Sequence, residues 1–390
     1  MVDTAELAWI DAHVDRTGEV TARTRPWATV LRVPTADGPV WMKAARSGTT
    51  FEVPLYALLA REAPERVLTP LAVDVERSWL LLPDGGPSLG EHEEGEGAFI
   101  AALVEYGRLQ RRLEGCVDEM LALGVADMRP AVMRDRFHDA LAAAGSPADV
   151  AALEPQVGEW CARLAASPLP ASPDHNDLHP WNILDGPRYY DWGDAVIAHP
   201  FAAMLVPLGL IRHRSGEAEL RRARDAYLGV FADRAPYAEL VEALELACRV
   251  AKIARTLTWA RAVQAAHDAG EPVDADWATA PAETLARLLH DHYLGRRVPP
   301  SPSSSSPPPS WPAAAARRRP TTRRAAPRSS GPCSRGIGIR RTATARRAAR
   351  CSPSARATPR AATAARGRST VTRRSPPRSA RRCATPRSTA

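Results

Sequence analysis

The stretch His175-Asn176-Asp177-Leu178-His179-Pro180-Trp181-Asn182-Ile183-Leu184, continued by Asp185-Gly186-Pro187-Arg188-Tyr189-Tyr190-Asp191-Trp192-Gly193-Asp194, decides how this chain is read. Three oxygen-bearing side chains recur in it: Asp177, Asn182 five positions on, and Asp191 nine beyond that. Asn176, Pro180 and Asp185-Gly186 predict a loop and a turn around the first two. Arg188-Tyr189-Tyr190 predicts a short strand leading into Asp191, after which Gly193 is expected to let the chain turn away.

A loop bearing Asp-x4-Asn, then a hairpin ending in Asp-aromatic-Gly, is the layout that phosphoryl transfer asks for. That reaction needs a carboxylate to orient an attacking hydroxyl and take its proton, and hard oxygen ligands to hold Mg²⁺ against nucleotide phosphates. The motifs H-x-D-L-H-x-x-N-I-L and D-W-G-D together resemble those of the aminoglycoside phosphotransferase and choline kinase group, the small-molecule branch of the protein-kinase-like fold. The resemblance implies Asp177 as the catalytic base and Asn182 and Asp191 as the metal ligands. His179 distinguishes this pattern from the protein-kinase one, and an orienting hydrogen bond within the loop is its expected role. Competing readings exist. His175, Asp177 and His179 at i, i+2 and i+4 would share one face of a strand as a zinc or iron site, but Pro180 argues against a strand and Asn182 and Asp191 would be left unexplained. Asp194 reads either as a turn-holding residue or as part of the site.

Towards the N-terminus, Glu6 to Val14 predicts a short helix, and Val20 to Thr24, Trp27 to Val33 and Val40 to Ala44 predict strands, the last two joined by Ala36-Asp37-Gly38. Lys43 falls late in the third strand, ahead of a helix over Phe51 to Arg61 that begins with Glu52. In kinases a lysine there contacts the α and β phosphates and pairs with a helical glutamate, so Lys43 with Glu52 is the expected nucleotide-binding pair and Glu62 the second choice. Strands over Leu71 to Val75 and Ser78 to Leu82 follow, and W-L-L-L-P-D-G-G resembles the inter-lobe hinge, the region expected to meet the adenine; Pro83 lacks an N–H, so the backbone donor would be a neighbour such as Asp84 or Gly85. No glycine-rich loop separates the first two strands. The run T-A-R-T-R-P-W stands there instead, which offers Arg23 or Arg25 as charge for the phosphates.

Helical periodicity dominates the remainder: Ala98 to Leu113, Val117 to Leu123, Ala131 to Ala144, and Ala148 to Leu164 with Pro155 as a dividing point. Ser146 is expected to cap the last of these, with Pro147 at its first position. After the motif come Phe201 to Ile211, Glu217 to Ala232, Tyr237 to Ala269 and Pro281 to Tyr293. The resemblance implies that these later helices wall an acceptor pocket, where Asp225, Glu242, Glu245, Arg255, Trp259 and Arg261 are the polar and aromatic candidates.

The 390 residues change character near position 299. Residues 299–390 contain no Asp, Glu or Lys but 22 Arg and 15 Pro, a composition that buries no core and predicts disorder. Removing those 22 arginines from the 52 basic residues leaves 30 against 44 acidic ones in residues 1–298, a net charge of −14. Such a tail reads either as an arm that binds RNA or DNA through phosphates or as an out-of-frame translation of a GC-rich gene, and the absence of lysine favours the second. No run of eighteen apolar residues occurs, so no membrane span is expected. The acidic N-terminus lacks the basic region of a signal peptide, which points to the cytoplasm. Cys116, Cys161 and Cys248 read as buried free thiols.

The expected fold is α+β: a bilobal protein-kinase-like fold with a small antiparallel-sheet N-lobe over residues 1–90, a larger helical C-lobe over 91–298, and a disordered basic tail. The expected function is an ATP-dependent, Mg²⁺-using phosphotransferase acting on a hydroxyl of a small molecule. An aminoglycoside, amino sugar or amino alcohol would suit the acidic body. The sequence leaves ATP versus GTP and the oligomeric state open. An inactive kinase-like scaffold and a nucleic-acid-binding protein acting through the tail are the alternatives; retention of all three oxygen-bearing residues argues against the scaffold.

Overall fold

In the computed structural model, residues 2–92 and 96–295 are described. The tail from Pro299 onwards lies outside them.

Helix α1 (Thr4–Asp11) precedes a five-stranded antiparallel sheet of order β1-β2-β3-β5-β4, with β1 Thr21–Arg25, β2 Ala28–Thr35, β3 Gly38–Ala45, β4 Ala72–Asp74 and β5 Trp79–Pro83. Strand alternation sorts its two faces. Leu31, Val33, Val40, Met42 and Leu81 pack with Ile10 of α1 into one small core. On the other face Arg23 and Arg25 of β1, Val30 and Arg32 of β2 and Trp41 and Lys43 of β3 turn towards a cavity. Lys43 is not on an edge: its backbone pairs with Val30 on one side and Leu80 on the other. Helix α2 (Glu52–Glu62) follows, with Val53, Leu55, Leu58 and Leu59 buried and Glu52 in its first turn.

The larger lobe is helical: α3 (Glu96–Leu113), α4 (Val117–Ala122), α5 (Met133–Ala143), α6 (Ala148–Ala151), α7 (Glu154–Ala165), α8 (Leu205–Leu228), α9 (Tyr237–Asp268) and α10 (Ala275–Ala286). One continuous core runs from α2 through α3 into α8 and α9. Pro155 stands in the first turn of α7 and divides α6 from α7, as its missing N–H and fixed φ dictate. Gly216, at φ 82°, breaks α8 into the two expected segments. Two expectations differ. Ser146 does not cap: at φ 53° it turns back, so that its N–H donates to Leu141 O, and Pro147 takes the N-cap position. The last helix starts six residues early because the Asp274 carboxylate accepts from Asp276 N and caps it, leaving Pro281 inside the helix.

Three short strand pairings position the motif. β7 (Ser172–Asp174) runs into His175, and β10 (Val196–Ala198) starts just after Asp194. They pair antiparallel with Asp174 opposite Val196, while β6 (Ala126–Asp127) joins β10 on its other side. Between them, β8 (Ile183–Leu184) and β9 (Arg188–Tyr189) form the expected hairpin. The β7–β10 pairing therefore holds the start of the 175–182 loop beside the end of the 191–194 loop. No helix among the described residues is long and apolar enough to cross a membrane.

Candidate active site

The 175–182 loop is fixed from below. His175 is buried; its N–H donates to Tyr106 Oη at 2.8 Å, and its Nε2 donates to the Tyr190 carbonyl at 2.9 Å. Burial lowers its pKa and keeps the ring neutral. Asn176 adopts φ 61°, in the left-handed region, stabilised by its N–H to Asp174 Oδ1 at 2.6 Å and by its Nδ2 donating to Thr258 Oγ1 at 2.7 Å.

Asp177 stands at the top of the loop. Its Oδ1 accepts from Arg255 Nη2 at 2.8 Å, and its Oδ2 lies 3.3 Å from His179 Nε2 and 3.4 Å from Asn182 Nδ2. His179 thus stands beside the Asp177 carboxylate within the loop, and His175, bonded to a carbonyl, forms no metal-binding group with it and Asp177 among the described residues. Burial alone would raise the Asp177 pKa, but the Arg255 guanidinium, with His179 second, holds it well below the usual carboxylate range. Asn182 ends a 3₁₀ turn, and its Nδ2 also donates to the Asp177 carbonyl at 3.0 Å, which commits the donor end of the amide and leaves Oδ1 for a cation.

Asp191 likewise sits at φ 61°, with its N–H donating to Tyr56 Oη at 3.1 Å. Its Oδ1 lies 2.7 Å from Lys43 Nζ, and Lys43 Nζ lies 2.6 Å from Glu52 Oε2. Burial would lower the Lys43 pKa, but Asp191 and Glu52 outweigh it and keep the ammonium charged. Glu62 instead pairs with Arg61. The positive φ falls on Asp191 and not on Gly193, which is needed for space: a Cβ there would stand 3.0 Å from Glu52 Oε2 and 3.6 Å from Lys43 Nζ.

Lys43, Asp177, His179, Asn182, Asp191 and Asp194 line one cavity of 320 Å³ between the sheet and the helical lobe. Arg23 and Arg25 also line it, and Arg25 lies 5.8 Å over the Trp277 ring. Asp84 and Gly85, in the region expected to meet the adenine, are not among the residues lining this cavity, and the Gly85 carbonyl accepts from Arg188. Of the acceptor-wall candidates, Arg255 and Arg261 reach the motif, Arg261 by donating to Gly193 O at 3.0 Å. Asp225 and Glu242 are paired at the surface with Arg224 and Arg163, and Glu245 lines a separate groove. Arg255, Thr258 and Arg261 follow each other by three on α9, a one-face spacing that marks a helix side without saying what it meets.

Among the described residues no group of three or more His, Cys, Asp and Glu forms a metal cage. Mg²⁺ keeps waters and takes phosphate oxygens, so it needs only one or two protein oxygens, and Asn182 Oδ1 with the Asp191 carboxylate is a donor set that fits it.

A family model described as the phosphotransferase enzyme family matches residues 19–240, which span every residue from Lys43 to Asp191. The chain belongs to this phosphotransferase family. It is a small-molecule kinase. Among solved structures, the phosphotransferase is similar to a choline kinase from Streptococcus pneumoniae, at 12% identity over 72% of this chain and 96% of that one, with a TM-score of 0.50. It is also similar to an ethanolamine kinase from Plasmodium vivax, at 10% identity over 70% of this chain and 82% of that one, with a TM-score of 0.50. At these identities the likeness concerns the bilobal kinase-like fold. No curated protein matches the phosphotransferase significantly.

Proposed function

We propose that the enzyme transfers the γ-phosphoryl group of ATP to a hydroxyl of a small molecule, with Asp177 as catalytic residue, Lys43 and Glu52 serving the nucleotide, and Asn182 and Asp191 holding Mg²⁺. The observation that carries the reading is the convergence of Lys43, Asp177, Asn182 and Asp191 on one cavity. Asp177 orients the attacking hydroxyl and receives its proton. Its depressed pKa makes it a weak base, which suits a loose transition state in which positioning matters more than basic strength. Lys43, held by Glu52, meets the α and β phosphates. A bound Mg²⁺ supplies neutralisation of the phosphate charge.

For the acceptor, an amine-bearing hydroxyl compound of the aminoglycoside, amino sugar or amino alcohol type is favoured by the acidic body and by structural neighbours named for choline and ethanolamine. A second reading, an acceptor without an ammonium group, is favoured by one observation: Asp177, Asp191 and Asp194 are each already paired with a cation. ADP release measured with MgATP over aminoglycosides, amino sugars, choline-like alcohols, homoserine and neutral sugars distinguishes the two. Asp177→Ala is expected to lower kcat by about 10³-fold or more while ATP affinity is kept. A variant with near-full turnover removes Asp177 from the role given to it.

A further inference from the structure

Of the side chains that touch Asp177, Arg255 comes from furthest away. It lies on α9, 78 residues later in the chain and beyond the family-matched span. Its side chain is 15% exposed and stands behind the cavity lining. One arm of the guanidinium, Nη2, donates to Asp177 Oδ1 at 2.8 Å; the other, Nη1, donates to Asp194 Oδ2 and to the Asn176 carbonyl, both at 2.9 Å. Trp259, one turn on, lies 5.2 Å from the guanidinium carbon and backs it. A single planar fork is therefore bonded to both loops of the site.

Both loops need such a brace. Each contains a non-glycine residue in the left-handed region, Asn176 and Asp191, a sparsely populated conformation that persists only where the surroundings enforce it. Arg255 grips the first at its own carbonyl and the second loop three residues past Asp191. Thr258 and Arg261 add bonds to Asn176 and Gly193 from the same helix.

We propose that Arg255 is a positioning residue for phosphoryl transfer: by bridging Asp177 to Asp194 it fixes the Asp177 carboxylate relative to the loop that carries Asp191. The proposal rests on the reading of Asp177 as the group that orients the attacking hydroxyl. A lysine would preserve the charge but not the span, because an ammonium is a point donor and cannot bond two carboxylates and a carbonyl along the two arms of a plane. Loss of alignment on the order of 1 Å lowers turnover by roughly 100-fold.

The test compares Arg255→Lys, Arg255→Met and Asp177→Ala with the unaltered full chain. ADP release from MgATP is followed with water as acceptor and with the acceptor panel, alongside affinity for a fluorescent ATP analogue and thermal melting. Arg255→Lys is expected to keep the fold and bind the analogue within about twofold of the unaltered chain, with unchanged KM for ATP and kcat lower by roughly 100-fold. Full kcat in Arg255→Lys overturns the proposal, as does a loss of kcat matched by an equal loss of analogue binding and melting temperature, which marks a merely structural cation. Should Arg255→Met fail to fold, the lysine variant still decides. Asp177→Ala at full turnover fells the parent reading, whereas an inactive Asp177→Ala beside a fully active Arg255→Lys fells the role of Arg255 alone.

Discussion

Lys43 Nζ lies 2.7 Å from Asp191 Oδ1, joining the middle strand of the small sheet to a loop 148 residues further along the chain. Lys43 is simultaneously 2.6 Å from Glu52, so removing the charge of Asp191 leaves the lysine paired while removing the carboxylate proposed to hold Mg²⁺. Asp191→Asn is expected to lower kcat by about 10²- to 10³-fold and to raise the Mg²⁺ concentration giving half-maximal rate. ADP release titrated with Mg²⁺ measures both, and an unaltered Mg²⁺ dependence would exclude Asp191 as a ligand.

Gly193 leaves little room for a side chain, since a Cβ would lie 3.0 Å from Glu52 Oε2, a tight approach to a carboxylate that is itself almost fully buried. Gly193→Ala should displace Glu52 from Lys43 and reduce kcat by roughly 10-fold, a fraction of the effect of losing the carboxylate altogether. Circular dichroism should show the native helix content, so that lost activity reports the pair and not the fold.

Lys252 on α9 is 1% exposed, and its ammonium has no hydrogen-bond partner. Burial, with Arg249 second, lowers its pKa from 10.5 to about 7. Between about pH 7 and 10.5 the unfolded chain therefore holds a proton that the folded chain has released, and stability from this group rises with pH across that window. Lys252→Met should stabilise the fold by about 2 kcal/mol at pH 7, raise the melting temperature by several degrees, and flatten that pH slope. Melting curves at pH 7 and 9.5 test it; a variant with the original slope would show that Lys252 is not its source.

Every residue of the proposed site lies between Thr21 and Arg261, so deletion of residues 299–390 is expected to leave ADP release within about twofold of the full chain. If the 22 tail arginines bind nucleic acid, the same deletion abolishes retention on RNA or DNA at low salt. Equal retention by both chains would show that the tail contributes no such binding.

Much of this protein could be read from the order of its residues. Asp177, Asn182 and Asp191 lie within one stretch of fifteen residues, where Pro180, Asp185-Gly186 and a two-strand hairpin leave the backbone few alternatives, and the family match spans that stretch. Strand periodicity likewise put Lys43 ahead of a helix that opens with Glu52, and the two side chains meet at 2.6 Å. Local rules failed where a neighbour intervened. Ser146 turned back to bond Leu141 instead of capping, and Asp274 started α10 before the apolar pattern began.

What Asp177 is bonded to was settled only in three dimensions. Arg255, Thr258 and Arg261 belong to a 32-residue helix whose sequence marks a face but not what that face meets. Their partners lie 61 to 82 positions away and are chosen by how α9 docks beneath the two loops. The same docking buries Lys252 without a partner, and the fold of the β3–α2 pair over Gly193 turns a glycine that looked like a hinge into a spacer. Spacing along a chain specifies which groups share a loop or a helix side; contacts across tens of residues depend on the packing of whole elements, and these contacts set the orientation and charge of the groups that the motif supplies.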